Sequence, residues 1–149
     1  MQLFRSVLYL PASNPRAIEK ARGLDCDAVI LDLEDAVAAD AKAQARQAAT
    51  AALAAGGFRS RIGVRVNGLD TPWGTDDLAA LAGLKPDFVV APKIESPEAV
   101  RQVAARLPAG AALWMHAPIA GTLFAVTFGS LLLRRIRVEE RALGFAPRA

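Results

Sequence analysis

A single cysteine, Cys26, among 149 residues excludes an intrachain disulfide. The N-terminus carries no secretory signal, so a reducing cytoplasm is the expected compartment. Cys26 stands between Asp25 and Asp27, whose charges disfavour a thiolate, and no nucleophilic role is expected of it. A basic face is lacking as well. Residues 1–115 hold 13 basic and 13 acidic side chains, and the +3 of the whole chain comes from five Arg against two Glu in 116–149. That balance argues against a nucleic-acid surface on the main body. Disorder is excluded in turn, because 53% of the residues are hydrophobic and only 22% charged, a composition that builds one core.

What is present is a rhythm. Short apolar runs, "SVLYL" (6–10), "AVILDL" (28–33), "IGVRV" (62–66), "FVVAP" (88–92) and "AALWM" (111–115), alternate with helical patterns. They read as buried strands bounded by turn or cap signals. Between them, Asn14 caps a helix with Pro15 at its first position and Gly23 as its stop; the next helices start at Asp40, Thr75 and Ser96. Strand and helix in alternation mean βαβ units and a parallel sheet with helices outside. The chain shows about four and a half such units, where an eight-unit barrel takes about 250 residues. A five-stranded doubly wound sheet fits the length, but its glycine-rich turn after the first strand is absent: "LPASNPR" stands there.

In parallel α/β folds ligands bind at the C-terminal ends of the strands. Polar groups recur there: Asp32, Glu34 and Asp35 after strand two, Arg65 and Asn67 at strand three, Lys93 and Glu95 after strand four. Singly, each is an ordinary cap or surface group. Together, acids facing an embedded Arg and Lys point to an anion site, with or without a divalent cation. Arg65 needs a partner in its strand, because an unpaired buried charge is costly, and Glu34 or Asp35 is the expected one.

The stretches "RSVLYLPASNPRAIEKA", "DAVILDLEDAVAADAKAQAR", "VRVNGLDTPWGTDDL" and "VVAPKIES" resemble the citrate lyase β-subunit and malyl-CoA lyase family of the HpcH/HpaI aldolase superfamily over residues 4–115. The resemblance implies a (β/α)8 TIM barrel, of which this chain holds about the first five strands. It implies a Mg2+-dependent carbon–carbon lyase that cleaves a citryl-, malyl- or citramalyl-type thioester, on CoA or an acyl carrier, to a 2-oxo acid and an acyl thioester. By the same resemblance Arg65 binds the oxo acid, Glu34 and Asp35 are the catalytic acidic pair near the metal, and Lys20 and Tyr9 contact the CoA. The family often has Arg or Lys where this chain has Asn14.

Other family features have no counterpart. The metal-binding glutamate after strand five is replaced by "ALWMHAPIAG", no carboxylate stands between Glu98 and Glu139, and the last aspartate is Asp87. No metal ligand is therefore assigned. The tail, 116–149, reads as a frameshifted or truncated ending, a true divergent ending, or a short membrane segment over "APIAGTLFAVTFGSLLL". The first of these is preferred, and a membrane segment is not expected. The expectation is an incomplete barrel, inactive as an isolated chain. One alternative is a non-catalytic binding or regulatory half barrel that associates with another chain, since open sheet edges favour self-association into a homo-oligomer. Another is an enzyme using His116, although a lone histidine suits hard Mg2+ poorly.

Overall fold

A computed structural model describes residues 4–107 and 111–116. Five strands, β1 (Val7–Pro11), β2 (Ala28–Asp32), β3 (Arg61–Arg65), β4 (Phe88–Pro92) and β5 (Ala112–His116), form one sheet. All neighbours are parallel and the spatial order is the chain order. A doubly wound sheet would reverse its order at a switch point, and this one does not. Four helices connect the strands: α1 (Pro15–Arg22), α2 (Lys42–Ala55), α3 (Gly74–Ala80) and α4 (Pro97–Ala104). Among the described residues no helix is long and apolar enough to cross a membrane. The expectations for the tail beyond His116 lie outside the described residues.

Two of the four expected helix starts hold. Asn14 Oδ1 accepts from Ala17 N and Ser96 Oγ from Ala99 N, each ahead of a proline in the first turn. Asp40 is not a cap. It lies in a short 3-10 turn, Ala39–Ala41, and α2 begins at Lys42 without a side-chain cap. Thr75 lies inside α3, which starts at Gly74 without a side-chain cap; Gly74 packs against the Gly68 carbonyl, where a Cβ would stand 2.2 Å from the oxygen. Gly23 does end α1, but with an ordinary right-handed φ of −92°, whereas Gly56 ends α2 at φ +61°.

The strands alternate between two apolar faces. Val29, Leu31, Val64, Val89 and Ala91 belong to the main core with helix residues such as Ile18, Ala45, Ala49, Leu78 and Val103. Ala28, Ile30, Phe88 and Val90 form a second cluster, with Phe4 packed against it. Gly63 in β3 makes room for the Phe88 ring: a Cβ built on it would lie 2.1 Å from that ring. Gly63→Ala should therefore lower stability by about 1–3 kcal/mol, read as a shift in the urea midpoint, and Phe88→Leu in the same chain should recover part of the loss.

Candidate functional site

The site begins with register. Asp32, the last residue of β2, pairs directly with Arg65, the last of β3. The Asp32 carboxylate is 1% exposed and fully engaged. Its Oδ1 accepts from Glu34 N and Arg65 Nε, both at 2.8 Å; its Oδ2 accepts from Arg65 Nη2 at 2.6 Å and Ala36 N at 3.1 Å. The two Arg65 contacts form a parallel, bidentate pair. Burial alone would raise the Asp32 pKa, but the Arg65 hydrogen bonds, the Glu34 and Ala36 N–H groups and the guanidinium charge together hold it below the usual carboxylate range. Arg65 is correspondingly raised, chiefly by its hydrogen bonds to Asp32. The expected partners of Arg65, Glu34 and Asp35, are thus secondary. Its Nη1 lies 3.1 Å from Glu34 Oε2 and 3.4 Å from Asp35 Oδ2.

Lys93, just beyond β4, completes the rim. Its Nζ is 3.0 Å from Glu34 Oε1 and 3.7 Å from Asp35 Oδ1, contacts that raise its pKa. Glu34 is 7% exposed, and each of its carboxylate oxygens meets a different cation. The Tyr9 ring lies 5.3 Å from Arg65 Cζ, a cation–π distance. Lys20 is exposed on α1 and takes no part in this cluster. Glu95 is exposed too; with Asn67, Lys93 and Glu98 it borders a neighbouring cavity of about 390 Å³.

Behind the rim sits a buried brace. Lys42 Nζ donates to Leu33 O at 2.7 Å, Glu34 O at 2.6 Å and Asn67 Oδ1 at 2.8 Å. Asn67 Nδ2 donates to Leu33 O and to Asp77 Oδ2, and Asp77 Oδ1 accepts from Arg46 Nε. Burial pushes the Lys42 pKa down against the pull of Asp32, Asp77, Glu34 and Asp35. The brace ties the ends of β2 and β3 to α2 and α3. Among the described residues, no buried side-chain nitrogen or oxygen lacks a partner.

This strand order, with a rim of paired charges, can be set beside known proteins. The HpcH/HpaI aldolase/citrate lyase model matches residues 5–110. The chain belongs to the HpcH/HpaI aldolase/citrate lyase family. It is 53% identical over 106 residues to a (3S)-malyl-CoA thioesterase of Cereibacter sphaeroides, covering 70% of this chain and 37% of that protein. It is 43% identical over 94 residues to an L-malyl-CoA/beta-methylmalyl-CoA lyase of the same organism, covering 60% of this chain and 30% of that protein. Among solved structures it is similar to the citrate lyase beta subunit from Mycobacterium tuberculosis complexed with oxaloacetate and magnesium. That likeness has a TM-score of 0.64 and 32% identity, and covers 80% of this chain and 50% of the other. The chain thus spans about a third of the length of the curated relatives it matches, 37% of one and 30% of the other.

Magnesium is expected for this family. Among the described residues, however, no group of three or more His, Cys, Asp or Glu side chains is arranged to hold a metal ion. The rim acids face Arg65 and Lys93 instead. The described residues therefore do not fit direct coordination of the ion. His116 ends β5 opposite Pro92 in the register, and its side chain lies outside the described residues.

Sequence reasoning missed Lys42, Arg46 and Asp77. One signal was available: Lys42 lies on the same stripe of α2 as Ala45, Ala49 and Ala52, all four buried. A lysine on a core-facing stripe is conspicuous.

Two expectations follow from this geometry. Because folded Asp32 binds its proton less readily than unfolded Asp32, the stability it gives is complete above about pH 4 and is lost as pH falls through its lower folded value. Asp32→Asn should cost about 3–5 kcal/mol at neutral pH by leaving Arg65 without its main partner, and should flatten the acid limb of the urea midpoint against pH. Separately, Mg2+ titrated calorimetrically into the full chain should show no site tighter than about 10 µM.

Proposed function

We propose that this chain supplies the oxo-acid-binding part of a lyase-type (β/α)8 barrel acting on malyl-CoA-like thioesters, with five of the barrel's strands in residues 7–116. The body, 1–115, carries the family part and 116–149 diverges from it; the family match ending at residue 110 supports that division. The observation that carries the functional reading is Arg65. It stands at the C-terminal end of a parallel strand, its side chain 13% exposed, with Nε and Nη2 fixed on Asp32 and Nη1 turned to the rim acids. A guanidinium held on one edge by a buried carboxylate is preorganised to bind a second carboxylate with the other. In this role it orients the oxo-acid end of the substrate, and Glu34 and Asp35, the acidic pair, act on that end through the Arg65 and Lys93 side chains they orient. Tyr9 flanks the guanidinium face; Lys20, exposed on α1, is left for the CoA. Taken alone, the chain is read as turning over no substrate, because its sequence has no carboxylate between Glu98 and Glu139, where the resemblance places the family's metal-binding glutamate.

Which bond is broken divides two chemistries. Carbon–carbon cleavage of malyl-CoA gives glyoxylate and acetyl-CoA; hydrolysis of its thioester consumes water and gives malate and CoA. The 53% identity to a thioesterase, against 43% to a lyase, favours hydrolysis as the second reading. A third, a non-catalytic half barrel completed by another chain, is favoured by β1, which ends the sheet with Val7, Leu8 and Tyr9 38%, 37% and 44% exposed.

A chimera tests these readings. Residues 1–110 would be joined to the remainder of the Cereibacter thioesterase and supplied with malyl-CoA and Mg2+. Turnover is expected, with acetyl-CoA or free CoA naming the bond broken. Arg65→Lys should weaken 2-oxo-acid binding by about 1–3 kcal/mol through loss of the planar fork. Unchanged affinity and turnover in Arg65→Lys would leave Arg65 a structural ion pair and sink the proposal. An inactive chimera that folds, together with a self-associating native chain, would favour the half barrel.

A further inference from the structure

The Glu34 carboxylate is held as a bound ligand would be. One oxygen lies 3.1 Å from Arg65 Nη1 and the other 3.0 Å from Lys93 Nζ. Arg65 keeps Nε and Nη2 on Asp32, so Nη1 is the donor group that can change partners without releasing the guanidinium. Lys93 adds a second, independent observation. With φ 48° it is the one non-glycine residue with positive φ among the described residues. A lysine in the left-handed region is strained, and such strain persists where surroundings over-determine it, often at ligand clamps. Its side chain is 62% exposed, so it can follow an incoming anion, whereas Glu34 is held between both cations.

We infer that Arg65 and Lys93 together form a two-point carboxylate clamp, and that Glu34 is an internal carboxylate occupying it until a 2-oxo acid takes its place. The inference rests on the reading of Arg65 as the oxo-acid residue. It adds Lys93 as a binding residue and makes Glu34 a competitor whose charge sets the affinity. Displacement breaks the Nη1 and Nζ contacts to Glu34 and replaces each with a contact to the ligand, so both cations keep an anionic partner, and the freed Glu34 carboxylate turns out to water at the rim beside the exposed Asp35.

The test uses the full 149-residue chain and pyruvate as the probe, with affinity read by NMR titration at fixed pH and ionic strength. Glu34→Gln removes the competing charge and should tighten pyruvate binding about tenfold. Lys93→Gln should weaken it about tenfold in both the native and the Glu34→Gln backgrounds, while Lys93→Arg keeps it. Reading Lys93→Gln in the native background keeps the clamp testable even if Glu34→Gln does not fold. A merely structural Lys93 would move the urea midpoint and leave the affinity alone. Equal or weaker binding in folded Glu34→Gln, or an affinity indifferent to Lys93→Gln, overturns the clamp, as does the absence of pyruvate binding from every variant. Arg65→Lys separates the two levels. If it alone weakens binding, the Arg65 reading stands and the clamp falls; if it changes nothing, the underlying reading falls with it.

Discussion

The rim of this protein depends on one ion pair, Asp32 with Arg65. Both residues end their strands, and the parallel register sets them side by side. A buried guanidinium–carboxylate pair is costly to desolvate, and it repays that cost only with near-ideal geometry and every remaining polar site filled. Asp32 meets the condition by accepting two backbone N–H groups besides the fork of Arg65. Those two N–H groups belong to Glu34 and Ala36, so the carboxylate that fixes Arg65 also shapes the turn that presents Glu34 and Asp35.

Lys42 does the same work from below. Its three donors end on the carbonyls of Leu33 and Glu34 and on the Asn67 side chain, which fixes the chain leaving β2 against the chain leaving β3. Asn67 passes the restraint to Asp77 and thence to Arg46. Two helices and two strand ends are thereby coupled through side chains, and a shift in any of them would strand a buried polar group, at a cost of about 1–3 kcal/mol. A site that must hold carboxylates close to one another gains from such a brace, because their mutual repulsion otherwise spreads the turn.

The strands were legible because their apolar runs are short, β-branched and bounded by turns; each lies within a residue of its expected place. Asn14 and Ser96 were legible for a local reason, since a cap is satisfied three residues away. Asp40 and Thr75 misled because the helices expected there start without a side-chain cap: Lys42 is drawn inward to the end of β2, and Gly74 packs against Gly68. The rim residues could be named from strand ends, but their pairing could not. Choosing Asp32 over Glu34 as the main partner of Arg65 requires the β2–β3 register, which alternation within one strand does not supply. Lys42 and Asp77, 35 positions apart, meet through Asn67, and no local pattern joins them.

The charge count explains why the described rim is stable on its own terms. Asp32, Glu34 and Asp35 contribute three negative charges, and Arg65, Lys93 and the underlying Lys42 contribute three positive ones. The group is neutral without a divalent ion, and its cations sit where an acid-rich turn would otherwise repel itself. Neutrality also constrains what can enter. An anion arriving alone must contend with the acids already on the cations, so affinity turns on the ease with which Glu34 gives way. The Asp32–Arg65 pair, closed on both sides by backbone donors and buried at its acidic end, is the fixed element against which that exchange occurs.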